Sequence, residues 1–321
     1  MEKITVFGLG EIVWDSERKP DGRVERILGG APRNFAHFAK ELGADAVVVS
    51  AVGRDQLGLE TLRIIRQDGM DISGIGVNEL PTGVVWVDKS DPNAPRYDIV
   101  KPSAWDAMSA SEEMLSRIAS ADIICWGSLA QRSEASRKAI LALVQASPEA
   151  CCRVFDVNLR QRYYDRPVIE ASLELATMLK LNEDELPEVA RQLELPGCPA
   201  PHDVLLRPAE TPSPATPESP DEQAAAWVAS LMQRYPRLAY VIYTCGADKS
   251  EVYDRQGLAS RIPTPHVEDF VDAVGAGDSF TAAFATSLRQ GMSLQASHAR
   301  AVEVAAYVCT LPGADGPLPT K

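Results

Sequence analysis

Hydrophobic and polar positions follow two periods along the chain. Short apolar runs at 4–8, 46–52, 123–126, 153–157 and 238–244 have the length and composition of buried strands. Helical spacing fills the gaps between them. Phe35, Phe38, Ala39 and Leu42 line one face of a helix closed by Gly43, with Pro32 fitting its first turn. Segments 134–144, 184–193 and 224–235 read as helices, and Phe280, Phe284 and Leu288 recur at i, i+4 and i+8. The alternation predicts an α/β fold with a mainly parallel central sheet flanked by helices on both faces. Strand-like stretches at 82–88 and 96–100, split by the turn-rich Lys89-Ser90-Asp91-Pro92-Asn93, predict a second, smaller β element. Eight prolines fall within 195–220 alongside Ser, Thr and Glu, which predicts a mobile insertion. No basic residue lies in 211–220, so a Pro-rich recognition segment is the less favoured reading.

Composition narrows the function classes without choosing one. A chain of 321 residues can bury a sizeable core as one large α/β domain or two smaller ones. The formal charge of −13 disfavours nucleic acid and anionic membrane surfaces as partners. No apolar run reaches membrane-spanning length. Six cysteines occur without a signal-like segment or regular ligand spacing, so a cytoplasmic setting with reduced thiols is expected. Cys151-Cys152 sits in an apolar run and is expected to pack rather than form a redox pair.

Candidate chemistry concentrates in Asp272-Ala273-Val274-Gly275-Ala276-Gly277-Asp278-Ser279-Phe280. Gly275, Ala276 and Gly277 leave the backbone bare, so successive amides can point at an anion beside the positive end of the following helix. Asp278 falls in the first turn of that helix, where a carboxylate can take a proton from a hydroxyl. The same residues also suit a plain strand-to-helix turn with an acid at the helix start. Gly29-Gly30-Ala31-Pro32-Arg33-Asn34 opens an earlier helix, and the Asn34 amide can both donate to and accept from vicinal hydroxyls. Asp15 follows the first strand as either a ligand or a turn residue. Gly127-Ser128-Leu129-Ala130-Gln131-Arg132 and Asp156-Val157-Asn158-Leu159-Arg160 lie beyond strand C-termini, where open α/β sheets collect ligands. Arg160 suits a phosphate or sugar oxygens, or a surface ion pair. The chain has no Gly-Lys dipeptide for a P-loop, and Val13 stands where a dinucleotide fingerprint needs its third glycine.

Two of these segments resemble the signatures of the ribokinase-like, PfkB-type carbohydrate kinase family. The later one is similar to Asp-Thr-x-Gly-Ala-Gly-Asp-Ser-Phe, with Ala273 replacing Thr. The earlier is similar to Gly-Gly-x-x-x-Asn in the Gly-Gly-Ala-Pro-x-Asn form common among fructokinases. The resemblance implies Asp278 as catalytic base, Gly275, Ala276 and Gly277 as anion hole, and Asp272 at a monovalent-cation (K+) site that Ala273 would impoverish. It implies Asp15, Gly29, Gly30, Asn34 and Arg160 as sugar ligands, since Gly10-Glu11-Ile12-Val13-Trp14-Asp15 also resembles the fructokinase-like subgroup. Asn182 and Glu185 match an Asn-x-x-Glu element that orders Mg2+ through water, although on spacing alone they read as an acidic helix start. Thr244 and Gly246 match a nucleotide loop Thr-x-Gly-x-x-Gly, in which Lys249 replaces the last Gly and either restricts the backbone or offers a cation to phosphates.

These matches span nearly the whole chain and imply one ribokinase-like domain over 1–321, with lid strands near 11–28 and 82–101. The lid implies a homodimer through paired lids. The expected activity is ATP-dependent phosphorylation of a primary sugar hydroxyl, D-fructose first. A 2-keto-3-deoxygluconate kinase is the alternative, then a ribose or nucleoside kinase, and from another class a non-catalytic sugar- or nucleotide-binding regulatory subunit.

Overall fold

Strands buried on both faces need helices on both sides, and the observed architecture follows from that demand. The structure, a computed structural model, describes residues 3–88, 90, 96–198, 219–314 and 316–319. Seven strands run parallel: β1 (Thr5–Leu9), β4 (Asp45–Gly53), β5 (Ile75–Asn78), β8 (Ile123–Trp126), β9 (Cys152–Asp156), β10 (Met178–Asn182) and β11 (Tyr240–Cys245). Antiparallel β12 (Lys249–Asp254) and β13 (Gly257–Pro263) extend the β11 edge, giving the order β13-β12-β11-β10-β9-β8-β1-β4-β5.

Alternate residues of each strand feed opposite layers. Phe7, Val49, Ile124, Phe155 and Leu179 join one core with α3 (Glu112–Ile118), α4 (Glu134–Ala146), α5 (Arg166–Leu173), α6 (Glu185–Gln192) and α7 (Pro220–Arg234). Val6, Ile123, Val154, Met178 and Ile242 join another with α1 (Ala31–Glu41), α8 (Ala276–Arg289) and α9 (Leu294–Val308). A third cluster binds α2 (Gln56–Gln67) through Ile65 to Val48 and Val52 of β4.

The predicted small β element is a separate four-stranded sheet, β3-β2-β6-β7. Its members are β2 (Val13–Arg18), β3 (Val24–Gly29), β6 (Val84–Asp88) and β7 (Arg96–Ile99). The break at 89–95 lies largely outside the described residues, as do 199–218 of the Pro-rich stretch. What is described there is ordered by its neighbours. Leu195 is buried, and Ser219 starts α7 with a reciprocal Ser219–Glu222 cap, Pro220 taking the first helical position four residues earlier than the apolar pattern predicted.

Candidate active site

The C-terminal ends of β1, β8, β9 and β10 open towards the start of α8, and the first and second glycine motifs meet there. Asn34 on α1 donates from Nδ2 to Oδ2 of Asp278 at 2.9 Å, across 244 positions of sequence. Each motif owes its shape to one glycine. Gly30 begins α1 at φ 112°, and a Cβ there would stand 2.3 Å from the Glu11 carbonyl oxygen. Gly275 begins α8 at φ 79°, with its Cβ position 2.5 Å from the Ala314 Cβ. Both φ values lie where an L side chain is strained and glycine is not. Gly277 has no such constraint, but its Cβ would stand 3.2 Å from the Lys180 Nζ.

Lys180 is the main feature that motif reading missed. It sits in β10, buried, with Nζ 3.3 Å from Oδ1 of Asp156 at the end of β9. Thr281 of α8 donates to the other Asp156 oxygen at 3.2 Å. Burial works against the Lys180 charge, but the carboxylates of Asp156, Glu185 and Asp278 outweigh it and raise its pKa. Burial, helped by Glu185 and Asp278, pushes Asp156 up to about 6 against the pull of Lys180. Asp278 keeps partial solvent access, yet desolvation raises it too, opposed by Asn34, Lys180 and Arg160. The sequence signal was a lone charge between Leu179 and Leu181.

Asp156 and Asp278 also share a cavity of about 10 Å³, with Cys125 and Trp126 in its wall. That is room for about one water. A larger cavity of about 230 Å³ beside β4 and β5 is lined by Asn78, four serines (Ser50, Ser73, Ser109 and Ser111) and apolar groups without a charged residue, and lies apart from these acids.

Glu11, just past β1, is 2 % exposed, and its Oε2 has no hydrogen-bond partner among the described residues. Desolvation lifts it to about 7, countered by backbone amides and by Arg160. Arg160 is exposed, close enough for its charge to act on both Glu11 and Asp278. Asp15 lies in mid-strand β2, paired with Ile27 and Val85, rather than in a turn. Its Oδ2 is 3.3 Å from the Cβ position of Gly29.

Asn182 and Glu185 hold each other's backbone. Asn182 Oδ1 accepts from the amides of Asp184 and Glu185, and Glu185 Oε2 accepts from the Asn182 amide. Glu185 Oε1 takes the Leu159 amide at 3.0 Å, which ties the Asp156–Arg160 loop to α6. Asn182 is also in register with Thr244 on β11. Gly246 follows at φ 41°, its Cβ position 3.0 Å from Oε1 of Glu183.

Several expectations are changed by these contacts. Lys249 is not free for phosphates, since its Nζ pairs with Asp221 of α7 and with Glu251. Asp272 spends its carboxylate on the amides of Val274 and Gly313, fixing the approach to α8. The Arg132 side chain is buried, paired with Asp106 at 2.8 Å and stacked on Trp105, so this residue braces the fold, while Gly127 of the same segment lines the cavity beside Asp278. Burial raises the Cys151 and Cys152 thiols to about 11 and about 12, which suppresses thiolate chemistry and favours the packing role. Among the described residues no helix is long and apolar enough to cross a membrane.

The chain is similar to several known proteins. Residues 1–321 match the model of the pfkB family carbohydrate kinases. The fructokinase of Salmonella typhimurium is 27% identical over 298 residues, covering 88% of this chain and 84% of that protein. That of Solanum tuberosum is 25% identical over 304 residues, covering 91% and 83%. In structure, a fructokinase with bound ATP from Xylella fastidiosa superimposes with TM-score 0.80 at 20% identity, over 99% of this chain and 96% of that one. An aminoimidazole riboside kinase from Salmonella enterica, in complex with aminoimidazole riboside and an ATP analog, gives TM-score 0.70 at 21% identity, over 98% and 96%. With its family model matched from end to end, the chain belongs to the pfkB family of carbohydrate kinases, phosphotransferases that use an alcohol group as acceptor.

Proposed function

We propose that the protein transfers the γ-phosphoryl group of ATP to a primary hydroxyl of D-fructose. The observation that carries this reading is the Asn34–Asp278 hydrogen bond, which puts a hydroxyl-binding amide against a carboxylate at a helix N-terminus. Asp15, Gly29, Gly30, Asn34 and Arg160 hold the sugar in this reading. Asp278 takes the proton of the attacking hydroxyl, and the amides of Gly275, Ala276 and Gly277 face the charge that develops on the phosphoryl group. Asn182, Thr244 and Gly246 hold the nucleotide. The four-stranded sheet closes over the sugar and excludes water, a competing acceptor.

Glu185 suits Mg2+ held through water. Each of its oxygens already accepts one amide, and a carboxylate has room for further donors. When bound, Mg2+ would neutralise charge on the ATP phosphates. The residues around Asp272 suit K+ less well, because Ala273 brings no hydroxyl to add to its carboxylate. The relatives named fructokinase support the choice of fructose. Tyr97 and Ile27, exposed on the small sheet, support a homodimer through it, which sedimentation velocity would detect as a species of twice the 34.8 kDa chain mass.

The test is ADP formation from magnesium ATP with D-fructose, ribose, 2-keto-3-deoxygluconate, adenosine and glucose. Fructose should give the highest kcat/KM. A higher value with another acceptor would contradict the substrate, and no turnover with any would contradict the reading as a whole.

A further inference from the structure

The buried ammonium of Lys180 is under the anion-hole turn, and nothing in the catalytic scheme above uses it. Two distances fix its place: its Nζ is 3.3 Å from Asp156 Oδ1 and 3.2 Å from the position that a Cβ on Gly277 would take. Gly277 immediately precedes Asp278, so the cation is held against the backbone that presents the carboxylate. A lysine needed only to neutralise Asp156 would not have to touch this turn.

We propose that Lys180 is a positioning residue that keeps Asp278 ionised and able to accept the proton of the attacking hydroxyl. The inference rests on the reading of Asp278 as base and names the group that sustains it. The charged and titratable groups around Asp278 are few. Lys180 comes from β10, Asp156 from β9, Cys125 from β8, Glu11 from beyond β1, and Arg160 from the loop after β9, with neutral Asn34 donating from α1. Desolvation favours the protonated acid, and Glu11 and Asp156 offer no relief. Of the two cations that oppose it, Arg160 is exposed and screened, whereas Lys180 is buried and acts through little water. Lys180 itself stays charged because three carboxylates surround it.

The experiment is a side-chain carboxyl 13C NMR titration of the whole protein, the Asp278 signal being the one missing from Asp278→Asn. In Lys180→Met its midpoint should rise by about one pH unit or more, the usual size of an opposite-charge effect at close range. The acid limb of kcat/KM should move the same way, while magnesium ATP binding is kept. An unmoved Asp278 midpoint, with turnover lowered equally at every pH, would overturn the proposal. Leaving Asp156 unpaired endangers folding, so Asp156→Asn/Lys180→Met removes the pair together, a change that cores tolerate. Measured against Asp156→Asn alone, the midpoint in this variant should again rise, and no difference between the two would mean that Lys180 serves Asp156 alone. These outcomes are separate from the fate of the base, which fails if Asp278→Asn turns over like the wild type.

Discussion

Glu11, Asp156 and Asp278 are three carboxylates within one site, and burial rather than residue type decides how each behaves. Glu11 is the clearest case. Its folded pKa of about 7 exceeds the ordinary 4.5, so the native state binds the proton more tightly than the unfolded chain does. Stability from this group is therefore full below pH 4.5 and declines as pH rises towards 7. Glu11→Gln removes that penalty and should stabilise the protein at pH 8 by on the order of 1–3 kcal/mol, with the gain vanishing near pH 4.5. Thermal melts of both proteins across this range check it, and a gain that does not depend on pH would contradict it. Gly277→Ala makes a complementary case, since φ there allows alanine but the new methyl meets the Lys180 ammonium at 3.2 Å. Turnover should fall at least tenfold, while stability changes by no more than about 1–2 kcal/mol. A variant that loses its fold before its activity would refute this order.

At the scale of elements, the site's geometry comes from helix starts. The Asn182–Glu185 cap sets α6, and the Asp272 contacts set the approach to α8. Five of the seven parallel strands were legible because both their faces are buried, leaving continuous apolar runs such as 123–126, whereas half-exposed β5 and β10 with its internal Lys180 were not. The glycine motifs were legible because their backbones permit little else. Less could be read of side-chain allegiance. Arg132 and Lys249 look like ligands in sequence, yet their partners Asp106 and Asp221 are 26 and 28 residues away, beyond the reach of any local pattern. Lys180 and Asp156 lie similarly on separate strands.

His298 shows the same limit, bridging Ser250 of β12 and Ser260 of β13 at 2.8 Å each from within α9. Burial lowers it to about 4, so its neutral form stabilises the fold above pH 6.5 and that contribution is lost as pH falls through 4. His298→Gln should be less stable at pH 7.5, with the gap to wild type closing towards pH 4. A constant gap in melting temperature would contradict the titration.

The whole molecule joins a nine-stranded sheet that gathers charge at its C-terminal edge to a four-stranded sheet that carries Asp15. The division of labour in phosphoryl transfer follows from this arrangement. In the proposed reading, one part of the molecule holds the acceptor, another holds the nucleotide, and Asp278 with the turn before it stands between them. Removing one carboxylate oxygen charge should then impair the chemistry far more than the binding. The measurement that tests this most directly compares Asp278→Asn with the wild type, taking kcat from ADP formation with magnesium ATP and sugar affinity from calorimetry. The account predicts a kcat lower by roughly 10²- to 10⁴-fold with sugar affinity within about threefold of wild type. Turnover within about tenfold of wild type would contradict it.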